Sequence, residues 1–204
     1  MTDSATEPSL GRFVLRVAGW LVPAFLVWYA AATIFAWPIV LLTRGVTGLV
    51  FGSLVRDVEQ HRYFVTIVST LGAAATTEHP AGGAVSVDLN TLLYSFGFPM
   101  LAALTLAARQ PHALRTLALG YVALAPCVTF GLVAEFLRHI VFGLPASIAA
   151  QAGFGAVERE VIAFAYQFGS LILPTVAPAV FWVLTHRRFL ERFAGARAAG
   201  SLAQ

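Results

Sequence analysis

Four stretches without a single charged side chain constrain this chain more than anything else in it: residues 17–43, 89–108, 116–134 and 161–185. Crossing about 30 Å of hydrocarbon as a helix takes roughly 20 apolar residues at about 1.5 Å each. Each stretch meets or approaches that length, so the expected fold is an all-α integral membrane protein, a four-helix transmembrane bundle. Composition agrees, with 58% hydrophobic and 11% charged residues and a mean hydropathy of +0.78, against about 25% charged in soluble domains. The first stretch follows Arg12 and Arg16 and contains Ala30-Ala31-Ala32, which imitates a signal peptide. Its apolar run continues through Trp37 to Leu42, beyond the roughly 7–15-residue core of such peptides, and reads as an uncleaved anchor. The chain forms one membrane domain, residues 1–204, with no linker dividing it.

Orientation follows from arginine, the only basic residue besides histidine. With the N-terminus inside, Arg12, Arg16, Arg109, Arg115, Arg187, Arg188, Arg192 and Arg197 are cytoplasmic, and Arg44, Arg56, Arg62, Arg138 and Arg159 are outside. The inner set crowds the span ends, where positive charge fixes topology. Both termini are therefore expected in the cytoplasm, and Asp57, Glu59, Glu78, Asp88, Glu135, Glu158 and Glu160 fall outside. The net charge of +3 is too small and too scattered for a nucleic-acid footprint.

Residues 44–88 form the expected periplasmic segment. Val46, Leu49, Val50, Leu54 and Val58 share one helical face, which predicts a helix lying on the membrane surface. Tyr63 to Val68 is rich in β-branched and aromatic residues, Glu78 to Gly83 reads as a turn, and Val85, Val87 and Leu89 alternate with polar residues. These predict a small periplasmic β-hairpin between helices 1 and 2. Residues 140–157 are uncharged but rich in glycine and alanine, and predict a loop with a short surface or re-entrant helix.

Chemistry is sparse. Cys127, the lone cysteine, lies inside the third stretch, and no histidine is placed by sequence to serve as its base. No metal site and no cofactor motif is visible. The spans lack ionisable residues, which argues against an ion-coupled pump. Prolines recur in every span, and Gly97, Ala102, Ala103, Gly120 and Gly169 allow close helix contact. At the outer span ends, Asn90, Tyr94, Glu135, Arg138, Tyr166 and Gln167 are candidate partner-binding residues. Glu135 and Arg138 have the i,i+3 spacing of a helix-surface pair.

Two stretches carry a family resemblance: Asp88-Leu-Asn-Thr-Leu-Leu-Tyr-Ser-Phe-Gly-Phe-Pro-Met-Leu-Ala-Ala-Leu-Thr-Leu-Ala107 and Ala165-Tyr-Gln-Phe-Gly-Ser-Leu-Ile-Leu-Pro-Thr-Val-Ala-Pro178, the latter followed by His186-Arg-Arg-Phe189. With the Trp-rich first span, they resemble the exosortase H-associated membrane proteins of Gram-negative bacteria, over about Arg12 to Phe193. The resemblance implies, as partner, exosortase H, a membrane cysteine transpeptidase, or the tail-bearing protein that it sorts. It marks Asn90, Tyr94, Gly97, Pro99, Tyr166, Gln167 and Pro174 as shared motif positions without assigning them roles; Pro178, which closes the second stretch, is a structural candidate. Exosortases themselves carry an acidic residue just ahead of their cysteine, whereas Cys127 follows Ala125 and Pro126. The expected function is a non-catalytic accessory subunit in the inner membrane. A small cysteine enzyme using Cys127 and a channel or transporter component stand as alternatives.

Overall fold

The computed structural model describes residues 10–73, 83–109, 111–187 and 189–191. Among the described residues, four helical stretches are long and apolar enough to cross a membrane: 10–30, 32–50, 113–143 and 156–185, with a shorter apolar helical stretch at 92–107. The expected first span is thus two helices, α1 (Leu10–Ala30) and α2 (Ala32–Val50), meeting at Ala31. Ala31 sits at φ −97, ψ 10, in the sparsely allowed region between helix and strand. It still bonds back to Val27 while Ile34 bonds to it across a tighter turn. The two helices scarcely touch each other, α1 packing on α4 and α2 on α5, so they form one bent rod and not a helical hairpin.

After α2 the chain turns into an antiparallel meander of β1 (Val55–His61), β2 (Phe64–Ala73) and β3 (Gly83–Asn90), in the order β1-β2-β3. The two strands of the expected hairpin pair as β2 and β3, Val65 opposite Leu89 and Ile67 opposite Val87; residues 78–82 of its expected turn lie outside the described residues. The third strand is a correction: the surface helix expected to reach Val58 ends at Val50. A bulge between Val55 and Asp57 shifts the β1 register, as an extra residue on one strand does. It leaves Val55 and Val58 both buried three residues apart. That spacing imitates a helix.

Next come α3 (Leu92–Ser95), α4 (Gly97–Ala107), α5 (Ala113–Arg138), α6 (Ala146–Ala149), α7 (Ala156–Gln167) and α8 (Leu173–Thr185). Of the expected loop 140–157, residues 140–143 complete a π turn and 156–157 open α7, and the stretch between holds the four-residue α6 and a following turn of 3-10 helix. Two wide π turns interrupt the long rods, His139–Gly143 after α5 and Phe168–Ile172 between α7 and α8. The second has a visible cause. Pro174 has no N–H for the Ser170 carbonyl and its ring crowds that carbonyl, and the Leu173 N–H bonds Phe168 O, five residues back.

Packing divides the molecule into two clusters. At one end Leu101, Ala108, Leu124 and Trp182 gather Phe13, Phe181 and Phe189 around them. Phe13 of α1 stacks on Trp182 at 5.8 Å and meets Phe189 at 5.4 Å, so the start of α1 and the end of α8 lie together. At the other end the inner face of the sheet, Val58, Val65, Ile67, Val87 and Leu89, packs against α2, the far half of α5 and the π turn after it through Ile39, Leu132, Phe136 and Ile140. Arg44 of α2 covers the β1 edge, pairing with Asp57 at 3.2 Å and donating to the Val58 carbonyl. A hydrogen-bonded side chain there blunts an edge that would otherwise be open to strand pairing.

Candidate functional site

From Arg115 to Glu135 along α5 is 20 residues, a rise of about 30 Å, the thickness of hydrocarbon. Around that far end the structure gathers side chains from three separate elements. Tyr94 of α3 is buried, its ring lying in a notch over Gly131, where a Cβ would come within 2.3 Å of Tyr94 Cδ1. The same glycine meets Gly169 of the π turn, whose own Cβ would be 2.9 Å from the Gly131 Cα. Two glycines therefore let α5 and the α7–α8 rod touch backbone to backbone with the tyrosine wedged beside them.

Glu135, Tyr166 and Arg138 all lie near enough to the Tyr94 hydroxyl to act on it electrostatically. The Arg138 guanidinium lies over the Tyr166 ring, 4.6 Å from its centroid, a cation–π contact. Its terminal nitrogen is 3.5 Å from Nδ1 of His139, which in turn is 3.3 Å from the Glu135 carbonyl. Glu135 Oε2 and Arg138 Nε are both buried without a hydrogen-bond partner, and the two residues do not form an ion pair with each other. A buried acceptor and a buried donor left unmade cost about 1–3 kcal/mol each or more. Among the described residues the cluster thus leaves one acceptor and one donor, of opposite charge, open.

The candidate residues divide accordingly. Tyr94, Glu135, Arg138 and Tyr166 come together. Asn90 instead closes a local turn, its Oδ1 accepting from the Leu92 N–H at 3.0 Å, and Gln167 is exposed and makes none of these contacts. Gly97, Pro174 and Pro178 form a second contact one turn deeper. Pro178 cannot donate to the Pro174 carbonyl, and Gly97 fits against both residues, since a Cβ there would lie 2.7 Å from Pro174 O and from Pro178 Cγ. Pro99 is buried in the first turn of α4. Gly131 is the residue that sequence reasoning missed. A small residue one turn before Glu135 was its only signal.

Cys127 faces a small pocket shared with Tyr94 and Ser95, and no histidine, aspartate or glutamate is among its described lining residues. Among the described residues, no three His, Cys, Asp or Glu side chains gather as a metal site.

Apolar rods of membrane-crossing length, with a small sheet and a charged cluster at one end, define a multi-pass membrane protein. No curated protein and no solved structure matches the chain. Its sequence matches the family of exosortase H-associated membrane proteins over residues 7–189, and the chain belongs to that family.

Proposed function

We propose that this protein is a non-catalytic accessory subunit of exosortase H protein sorting and that it contacts the exosortase, or the protein being sorted, through the Tyr94–Glu135–Arg138–Tyr166 cluster. The observation that carries the reading is the pair of buried, unpartnered atoms on Glu135 and Arg138, set where α5 has risen by one membrane thickness. Both residues are half-buried, so a turn of either side chain on docking would bring these atoms to a partner's polar groups. The arginine distribution supports an inner-membrane placement with both termini cytoplasmic, which sets the cluster and the sheet on the periplasmic side. Family membership supports the partner.

The test is co-purification of exosortase H with the Glu135→Gln/Arg138→Gln double variant. Removing one member of a buried, hydrogen-bonded charge pair costs about 2–5 kcal/mol at an interface. Recovery of the exosortase should therefore fall at least about tenfold, while the variant keeps the wild-type elution volume in detergent. Undiminished recovery rejects the cluster as the contact. In the same strain Cys127→Ala is expected to leave sorting intact, and a loss of sorting would restore the cysteine-enzyme alternative.

A further inference from the structure

Between α1 and the α4–α5 pair lies a groove of about 270 Å³, walled by Trp20, Ala24 and Trp28 on one side and by Pro99, Ala102 and Leu117 on the other. Every residue lining it falls within the uncharged stretches 17–43, 89–108 and 116–134, so it opens at hydrocarbon depth. The only hydroxyl among its described lining residues, on Tyr121, is already committed to the Phe35 carbonyl at 2.7 Å. α1 is otherwise nearly bare, with Trp28 its one buried residue. α1 and α4 pack on each other, and a groove of about 270 Å³ holds less than a third helix of about 10–12 Å diameter would fill. A flexible hydrocarbon chain fits such a slot.

The end of the groove nearest the α4–α5 turn is cationic. Arg16 precedes the wall residue Trp20 by one turn on the same face of α1. The Arg109 backbone N–H bonds the carbonyl of Leu106, another wall residue, at 3.2 Å. Arg109 holds a left-handed conformation, φ 50, uncommon for a residue with a side chain. Both arginines are exposed and neither forms an ion pair among the described residues. We propose that the groove is a phospholipid site, one acyl chain lying between α1 and α4–α5 and an anionic headgroup held by Arg16 and Arg109.

Protein exchanged into vesicles of equal parts phosphatidylglycerol and phosphatidylethanolamine, re-extracted in mild detergent and weighed by native mass spectrometry tests this. One phospholipid should be retained per chain, phosphatidylglycerol in preference. A basic residue near an anionic surface contributes about fivefold, so Arg16→Gln and Arg109→Gln should each erode the preference by about that factor while retention persists. Ala102→Trp, which fills the slot, should abolish retention; Ala24→Phe does the same from the opposite wall should the first variant fail to fold. Retention unchanged in a folded slot-filled variant overturns the proposal, as does equal retention of the two lipids by the wild type. Loss of the lipid whenever exosortase H is co-expressed would also overturn it, by making a partner segment the occupant. None of these outcomes depends on the Glu135–Arg138 cluster.

Discussion

At single residues, the tightest packing falls at glycines. At Gly131 an added methyl would meet the Tyr94 ring at 2.3 Å and the Gly169 carbonyl at 3.2 Å. Alanine is intrinsically better in a helix by about 1 kcal/mol, yet overpacking a tight contact costs about 1–3 kcal/mol, and here neither the ring nor the backbone can yield. Gly131→Ala should lower the unfolding midpoint in detergent, whereas Gly45→Ala, where the same methyl meets nothing within 4 Å, should leave it unchanged or raise it. Equal effects would remove the glycine notch as a determinant of the site. His186, one residue past α8, gives a pH-dependent counterpart. It is buried, stacked on Trp182 at 5.0 Å, with Nδ1 3.0 Å from the Trp182 carbonyl and beside the Thr185 hydroxyl. Burial pushes its pKa below the ordinary value, with the Trp182 carbonyl partly opposing. The folded state therefore favours neutral imidazole. Its contribution is intact above about pH 6.5 and is lost as acid protonates the unfolded chain first. His186→Phe should flatten the fall in stability below that pH; a slope identical to wild type would assign it to another group.

Elements were legible in the sequence where a period was uninterrupted, and hidden where it was broken. Val85, Val87 and Leu89 announce β3, and the uncharged runs announce α5 and α8. β1 was masked because its bulge turns the two-residue period of a strand into the three-residue spacing of Val55 and Val58. The break between α1 and α2 falls at Ala31, with no glycine or proline at that position to mark it. For the site, chemistry-bearing residue types at span ends singled out Tyr94, Glu135, Arg138 and Tyr166. Nothing in one sequence could reveal that Asn90 turns inward on its own backbone. The sheet makes a prediction at this scale. Ile67 is fully buried on the inner face, while Thr66 beside it binds Asp88 on the outer face at 2.6 Å. Ile67→Ala should cost about 2–5 kcal/mol and Thr66→Ala about 0.5–1.5 kcal/mol, measured by denaturant unfolding in micelles. Comparable losses would mean that the inner face is not a packed core.

At the scale of the whole molecule, the two ends differ in kind. One end brings together the start of α1, the α4–α5 turn and the end of α8 through Phe13, Ala108 and Phe189, and it is flanked by arginines. The other carries the sheet, α6 and the charged cluster, tied across by Gln151 donating to the Gly72 carbonyl. Since α1 begins where α8 ends, the chain crosses between the ends an even number of times. The sheet and the α4–α5 turn must then face opposite sides of any bilayer the rods span. Glu59 on β1 and His112 in the α4–α5 turn are both exposed and report on the two ends. In a Cys127→Ser background, Glu59→Cys should react with a membrane-impermeant maleimide on cells whose outer membrane alone has been opened. His112→Cys should react only once the inner membrane is also breached. Labelling of both at the first step would place the two ends on one side, and the bundle with its cluster at the outer surface would have to be abandoned.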